Sequence, residues 1–209
     1  MEVVDESVKR GKPLQKGQVL FADGDEFKSL YVVRSGAMKS YSVDQDGDEH
    51  VIGFYLPGEI MGLDSIDSGL YVSSAKALET TAICEIPYAQ VESLSARIHN
   101  LQSQMYRVLS REIRHDQELQ MLLGKKTAEE RIGTFLMNLS VRYEQRKLSG
   151  NSFRLPMART DIGNYLGLAV ETVSRVFTRF QQSGVLKVDG KEVEILDKKN
   201  LCHIAHDKF

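Results

Sequence analysis

The segment from Thr160 to Ser183, TDIGNYLGLAVETVSRVFTRFQQS, constrains this chain more than any other. Ile162, Tyr165 and Leu166 give a first short helix its apolar stripe, with Asp161 as its N-terminal residue. Gly167 supplies a turn, because a left-handed backbone costs glycine little. From Val170 onward, Val173, Val176, Phe177 and Phe180 recur on one face, and Gly184 ends the second helix. Packing that face inward leaves Glu171, Ser174, Arg175 and Arg179 outside. Two helices joined this way form a helix-turn-helix, whose second helix lies in the DNA major groove.

The next stretch, VLKVDGKEVEIL from 185 to 196, alternates apolar and polar residues on both sides of Asp189-Gly190. That dipeptide predicts a two-residue hairpin turn, so the reader is a winged helix. On the exposed face Arg175 suits guanine O6 and N7, Glu171 suits the amino group of cytosine, and Ser174 suits a neighbouring base or phosphate. Lys125, Lys126, Arg154, Arg159, Arg179 and Lys191 are candidates for phosphate contacts, which fix register without reading sequence.

Charge divides the chain in the same sense. Its formal net charge is -2, but residues 1–124 carry 12 Lys+Arg against 19 Asp+Glu, whereas residues 125–209 carry 15 against 10. An acidic front and a basic back suit a regulatory domain joined to a DNA-binding one. The 209 residues suffice for two domains, and we place them at 1–90 and 125–209, with a dimerisation helix over 91–124. No apolar run is long enough to span a membrane and no secretory leader is evident, so a cytoplasmic protein is expected.

The front half reads as short strands around Val19–Phe21, Leu30–Val33, Met38–Val43 and Val51–Leu56. Glycine-bearing turns at Asp23-Gly24-Asp25, Ser35-Gly36, Asp46-Gly47-Asp48, Pro57-Gly58 and Ser68-Gly69 separate them. That spacing suggests a jelly-roll, or double-stranded β-helix, in an α+β protein. The period then changes. From Val91 to about Leu123 there is neither proline nor internal glycine, and apolar residues recur every three or four.

Leu101, Met105 and Val108 share one side of this helix, while Gln102, Tyr106, Leu109, Ile113, Asp116 and Gln120 form a coiled-coil stripe in outline. Two-fold DNA sites favour pairing along it, although packing of a lone helix on its own β domain is the rival. In a parallel dimer the two Asp116 carboxylates face each other, at a cost on the order of 1–4 kcal/mol. The residue could thus poise a monomer–dimer balance, or be a solvated carboxylate just off the stripe. Gly124 and Lys125-Lys126 mark a hinge, and Thr127 with Glu130 can cap the next helix.

These stretches resemble the cyclic-AMP receptor protein (CRP) superfamily over nearly the whole chain, and within it the fumarate and nitrate reduction (FNR) branch. KPLQKGQVLF, SLYVVRSGAMKSY, KALETTAICEIPY, KKTAEERI and above all DIGNYLGLAVETVSR carry the resemblance. It implies a cyclic-nucleotide-binding-like β-roll sensory domain, a dimerisation helix and a homodimer reading TTGAT-like half-sites under anaerobic or redox control. It also places Glu171, Ser174 and Arg175 at base-reading positions and Asp116 at a position opposing dimerisation without signal. Ser35, Gly47, Asp48 and Thr80 fall where the family touches RNA polymerase.

Two cofactors follow from the resemblance, and the residues limit both. Nucleotide-binding members carry a glutamate for the ribose and an arginine for the cyclic phosphate. Aligned from Gly58-Glu59, those positions hold Leu63 and Ser73, so cyclic AMP is not expected. Oxygen-sensing members hold a [4Fe-4S] cluster with four cysteines. Cys84 matches the fourth position, but residues 1–12 contain no cysteine and Cys202 is the only other one. The start at Met1, part-way through the family pattern, favours a fragment over a natural cluster-less relative.

No cofactor is therefore supported by this chain alone. Cys202, His203 and His206 lie close together without a fourth metal partner, and His50, His99 and His115 are isolated. No nucleophile elbow, P-loop or paired-carboxylate pattern is present, so no enzyme is expected. The competing readings are an effector- or metal-binding module whose winged helix binds protein, and a DNA-binding regulator with another input.

Overall fold

The computed structural model describes residues 9–205, which fall into two compact units divided between His115 and Asp116. The first unit opens with strands β1 (Lys9–Arg10), β2 (Val19–Phe21), β3 (Ser29–Ser35) and β4 (Met38–Val43). It continues with β5 (Glu49–Tyr55), β6 (Ile60–Met61), β7 (Ser74–Ala77) and β8 (Ala82–Pro87). These form two antiparallel sheets, in the orders β1-β8-β3-β6 and β2-β7-β4-β5.

The two sheets enclose a core of Phe21, Val33, Met38, Met61, Tyr71, Ala75 and Ala77, with the Phe21 and Tyr71 rings stacked at 3.9 Å. Such a jelly-roll buries one face of each sheet and pairs most strand edges. The four strands read from sequence are present. β6, β7 and β8 were not read, because they are short or nearly continuously half-buried and so lack alternation.

The predicted helix over 91–124 is two helices, α1 (Tyr88–Arg97) and α2 (His99–Lys125). Ile98 between them is extended, at φ −120° and ψ 91°. Ile98, His99 and Asn100 are three weak helix formers in a row, which lowers the cost of a break in a stretch holding neither proline nor glycine. Leu101, Met105 and Val108 are half-buried, and Ser95 Oγ of α1 lies 3.4 Å from Met105 Sδ. The predicted hinge glycine, Gly124, is inside α2, and the chain bends at Lys126-Thr127 instead.

The second unit continues with α3 (Ala128–Gln145), β9 (Ser152–Arg154), α4 (Arg159–Leu166) and α5 (Val170–Gln182). The hairpin β10 (Leu186–Asp189) and β11 (Glu192–Ile195) and the helix α6 (Lys198–Ala205) complete it. Thr127 caps α3 in a full capping box: Glu130 N–H donates to Thr127 Oγ1 and Thr127 N–H donates to Glu130 Oε2. Ile132, Leu136 and Leu139 of α3 are fully buried against the helix-turn-helix and α6. β9 adds a third strand to the wing, by pairing with β11.

The wing turn falls one residue later than predicted. Asp189 pairs with Glu192, so the turn residues are Gly190-Lys191, with glycine first. This register sets Leu186 opposite Ile195 and Val188 opposite Val193. A turn at Asp189-Gly190 would have set Val188 opposite Lys191, so the apolar pairing decides the register.

Candidate nucleic-acid interface

The reader is held from behind. Val173, Val176, Phe177 and Phe180 of α5 are buried, as their spacing predicts. Val185 N–H donates to Phe180 O and Gly184 N–H to Gln181 O, a Schellman closure that ends α5 at the predicted glycine. Between α4 and α5, Gly167 takes the left-handed turn at φ 61° and ψ 42°. α4 begins two residues before Asp161, whose carboxylate instead accepts from Ala158 N–H at 3.0 Å.

A second glycine here escaped the sequence reading. A β-carbon on Gly163, inside α4, would stand 2.6 Å from the Leu168 carbonyl oxygen, so the turn crosses the helix only where that atom is missing. Mid-helix glycine is normally unfavourable, which is the trace that could have exposed it.

With its back packed, α5 presents Glu171, Ser174, Arg175, Thr178 and Arg179 to solvent. Ser174 Oγ donates to Val170 O at 2.9 Å, and Arg175 Nη2 donates to Thr172 Oγ1 at 3.1 Å. These are short-range tethers that leave a carboxylate, a hydroxyl and a guanidinium on one exposed helical face. That face offers both acceptors and a bidentate donor to base edges.

The six candidate phosphate contacts separate. Lys125 is exposed at the end of α2. Lys126 turns inward, its ammonium donating to Thr134 Oγ1 at 3.0 Å and Ala205 O at 2.8 Å. Arg154 is exposed, 3.8 Å from Glu192. Arg179 is paired with Glu129 of α3. Lys191 donates to Pro156 O at 2.6 Å. Arg159 lies flat on the Phe177 ring, 3.2 Å from its centroid, and burial pulls its guanidinium down to about 10. Its buried Nη1 has no hydrogen-bond partner among the described residues. Glu129, which holds Arg179, and Thr172, which holds Arg175, were not foreseen.

On α2, Tyr106 and Ile113 are 61% and 59% exposed, Leu109 is half-buried and Asp116 is exposed, so the stripe is available to a partner. Ser35 and Thr80 meet at one end of the β-roll. Gly36 packs so closely that a β-carbon would stand 2.5 Å from Thr80 O, and Thr81 Oγ1 bridges to Ala37. Gly47 and Asp48 are exposed at the far end of β4, whose 6 residues separate them from Ser35 by roughly 20 Å. Asp44 shapes that tip by accepting from Asp46 and Asp48 N–H and meeting His50 Nε2 at 2.9 Å.

The residues fit neither family cofactor. Ser73 is buried and donates to Asp64 Oδ2 at 3.4 Å, so the predicted arginine position holds a serine with a carboxylate beside it. Leu63 beside it is half-buried and apolar. Cys84 lies on β8, opposite Arg10 of β1 and Val32 of β3, and Cys202 lies on α6 in the other unit. Among the described residues no three His, Cys, Asp or Glu groups gather as metal ligands, and His206 falls outside those residues. Four thiolates for a cubane are not supplied by them. No helix is long and apolar enough to cross a membrane.

A jelly-roll followed by a winged helix-turn-helix with a polar, arginine-bearing second helix defines a DNA-binding transcription regulator rather than an enzyme. Residues 12–97 match the Cyclic nucleotide-binding domain and residues 130–204 the Crp-like helix-turn-helix domain. The chain is 56% identical over 205 residues to the Transcriptional activator protein FnrA of Stutzerimonas stutzeri, covering 98% of itself and 84% of that protein. It therefore belongs to the CRP/FNR family, in the FNR branch.

It is also 50% identical over 205 residues to the Fumarate and nitrate reduction regulatory protein of Escherichia coli, covering 98% of itself and 82% of that protein. Its fold is similar to the structure of FixK2 from Bradyrhizobium japonicum, with a TM-score of 0.87 at 27% identity over 97% of this chain and 99% of that one.

Proposed function

We propose that this regulator binds, as a homodimer, two-fold DNA sites with TTGAT-like halves and activates genes of anaerobic or redox metabolism in the cytoplasm. The observation that carries this reading is the exposed Glu171, Ser174 and Arg175 face, backed by a fully packed core. Arg175 reads guanine, Glu171 an exposed amino group and Ser174 a neighbouring base or phosphate. The α2 stripe of Tyr106, Leu109, Ile113 and Asp116 pairs the protomers, with Asp116 opposing association. Ser35 with Thr80, and Gly47 with Asp48, offer RNA polymerase two separate contacts, since they lie at opposite ends of β4.

The described residues supply one family-matched thiolate, Cys84, and a buried serine beside Asp64 where nucleotide-binding members carry an arginine. An iron–sulfur input therefore requires further thiolates from outside those residues, and cyclic AMP is not the effector. The reading is tested by fluorescence anisotropy on a TTGAT-N4-ATCAA duplex against a scrambled one, with the wild-type chain and Asp116→Ala. Specific binding by both means dimerisation without a signal, and binding by Asp116→Ala alone means an intact reader awaiting one. No specific binding by either refutes the proposal.

A further inference from the structure

One guanidinium ties the end of α2 to the turn of the helix-turn-helix. Arg131, in the first turn of α3, donates from Nη2 to Leu123 O at 2.8 Å, from Nε to Lys126 O at 2.9 Å and from Nη1 to Leu166 O at 2.8 Å. Leu123 is in the last turn of α2 and Leu166 is the last residue of α4, so both carbonyls are ones their helices leave without a partner. The positive charge thus sits at the negative poles of two helix dipoles at once.

The surroundings hold it there. Arg131 N–H donates to Thr127 O at 2.9 Å, so the α3 backbone beneath the side chain is fixed by the capped first turn. A β-carbon on Gly167 would stand 3.4 Å from Nη1, so the glycine turn lies against the guanidinium itself.

We propose that Arg131 is the positioning residue that fixes the setting of the reader helices on α2, so that both half-sites of a two-fold duplex are engaged together. Lys126 and Thr127, the residues between α2 and α3, leave rotatable bonds that this guanidinium locks. A planar fork can serve carbonyls lying in three directions, whereas a lysine ammonium is a single point. Without the lock each reader still folds and binds one half-site, but the second reader of the dimer meets its half-site at a lower effective concentration. The inference rests on the homodimeric, two-fold reading above.

The test measures anisotropy on two duplexes, TTGAT-N4-ATCAA and one with a single TTGAT half, for Arg131→Met and Arg131→Lys in the wild-type and Asp116→Ala chains. The expected result is half-site binding within about twofold of the parent and a loss of roughly tenfold or more on the two-fold duplex. A residue that merely keeps the domain folded would weaken both duplexes in proportion and lower the thermal midpoint, and that result overturns the proposal. So does unchanged two-fold binding, or full rescue by lysine. Should Arg131→Met fail to fold, Arg131→Lys, which retains the charge, decides. A parent that does not prefer the two-fold duplex refutes the homodimer reading, and the inference with it, before any variant is read.

Discussion

Arg175→Ala isolates sequence reading from every other source of DNA affinity. The guanidinium is exposed and its hydrogen bond to Thr172 Oγ1 is a surface contact, so truncation costs the fold only about 0.5 kcal/mol. On the proposed reading, the change removes a bidentate guanine contact worth about 1–3 kcal/mol. A two-fold site doubles that to about 2–6 kcal/mol, or roughly thirty-fold to more than ten-thousand-fold in affinity. The decisive assay is a cycle between protein and DNA: wild type and Arg175→Ala, each titrated against TTGAT and TTAAT half-sites in the two-fold duplex. Wild type should lose most of its affinity on TTAAT, and Arg175→Ala should bind the two duplexes almost equally. The salt slope should not change, because no phosphate contact is removed. A uniform loss on all sequences, or a slope that shifts by one or more, refutes base reading and makes Arg175 a phosphate contact.

Three further outcomes follow from the packing. Lys125→Ala should lower the salt slope by about one per protomer with an unchanged thermal midpoint, whereas Lys126→Ala should lower the midpoint, because its ammonium serves Thr134 and Ala205. Gly163→Ala should cost about 1–3 kcal/mol by chemical denaturation and abolish specific DNA binding, since its β-carbon would clash with the Leu168 backbone carbonyl, which cannot swing aside as a side chain can. Glu49→Gln should cost about 1–2 kcal/mol, allowing for screening of a carboxylate 36% exposed, because buried Lys39 loses that partner. Burial pushes the Glu49 carboxyl up, but Lys39 and Lys76 outweigh it and hold it below the ordinary range. Its stabilisation is therefore present above the unfolded carboxylate value and fades as pH falls through the depressed folded value. Acid titrations of the wild type and Glu49→Gln should converge there, and parallel curves would refute the pairing.

The reader was legible because its two constraints are local. A 3.6-residue period needs only the identities of Val173, Val176, Phe177 and Phe180, and a left-handed turn needs only Gly167. The jelly-roll was legible in part. Strands with glycine turns between them showed, but β8 did not, since all its residues are half-buried and no alternation marks it. The wing register was misjudged because it depends on which residues pack opposite one another, and a pattern read along one strand does not contain its partner.

Charge near the reader was the least legible property, and the cause is geometric. Lysines and arginines of the basic half look alike in sequence, yet helix ends carry carbonyls that need donors, and long cationic side chains reach them first. Lys126 is drawn to the end of α6 and Arg131 to the ends of α2 and α4, while Lys191 is held at Pro156. Lys125, one residue from Lys126, remains outside because α2 still runs through it and its side chain leaves on another face. A basic half is thus a reservoir from which the fold takes its own caps before any phosphate is met. On the proposed reading, the cations left for DNA are exposed ones that cap no helix end, with Lys125 and Arg175 first among them.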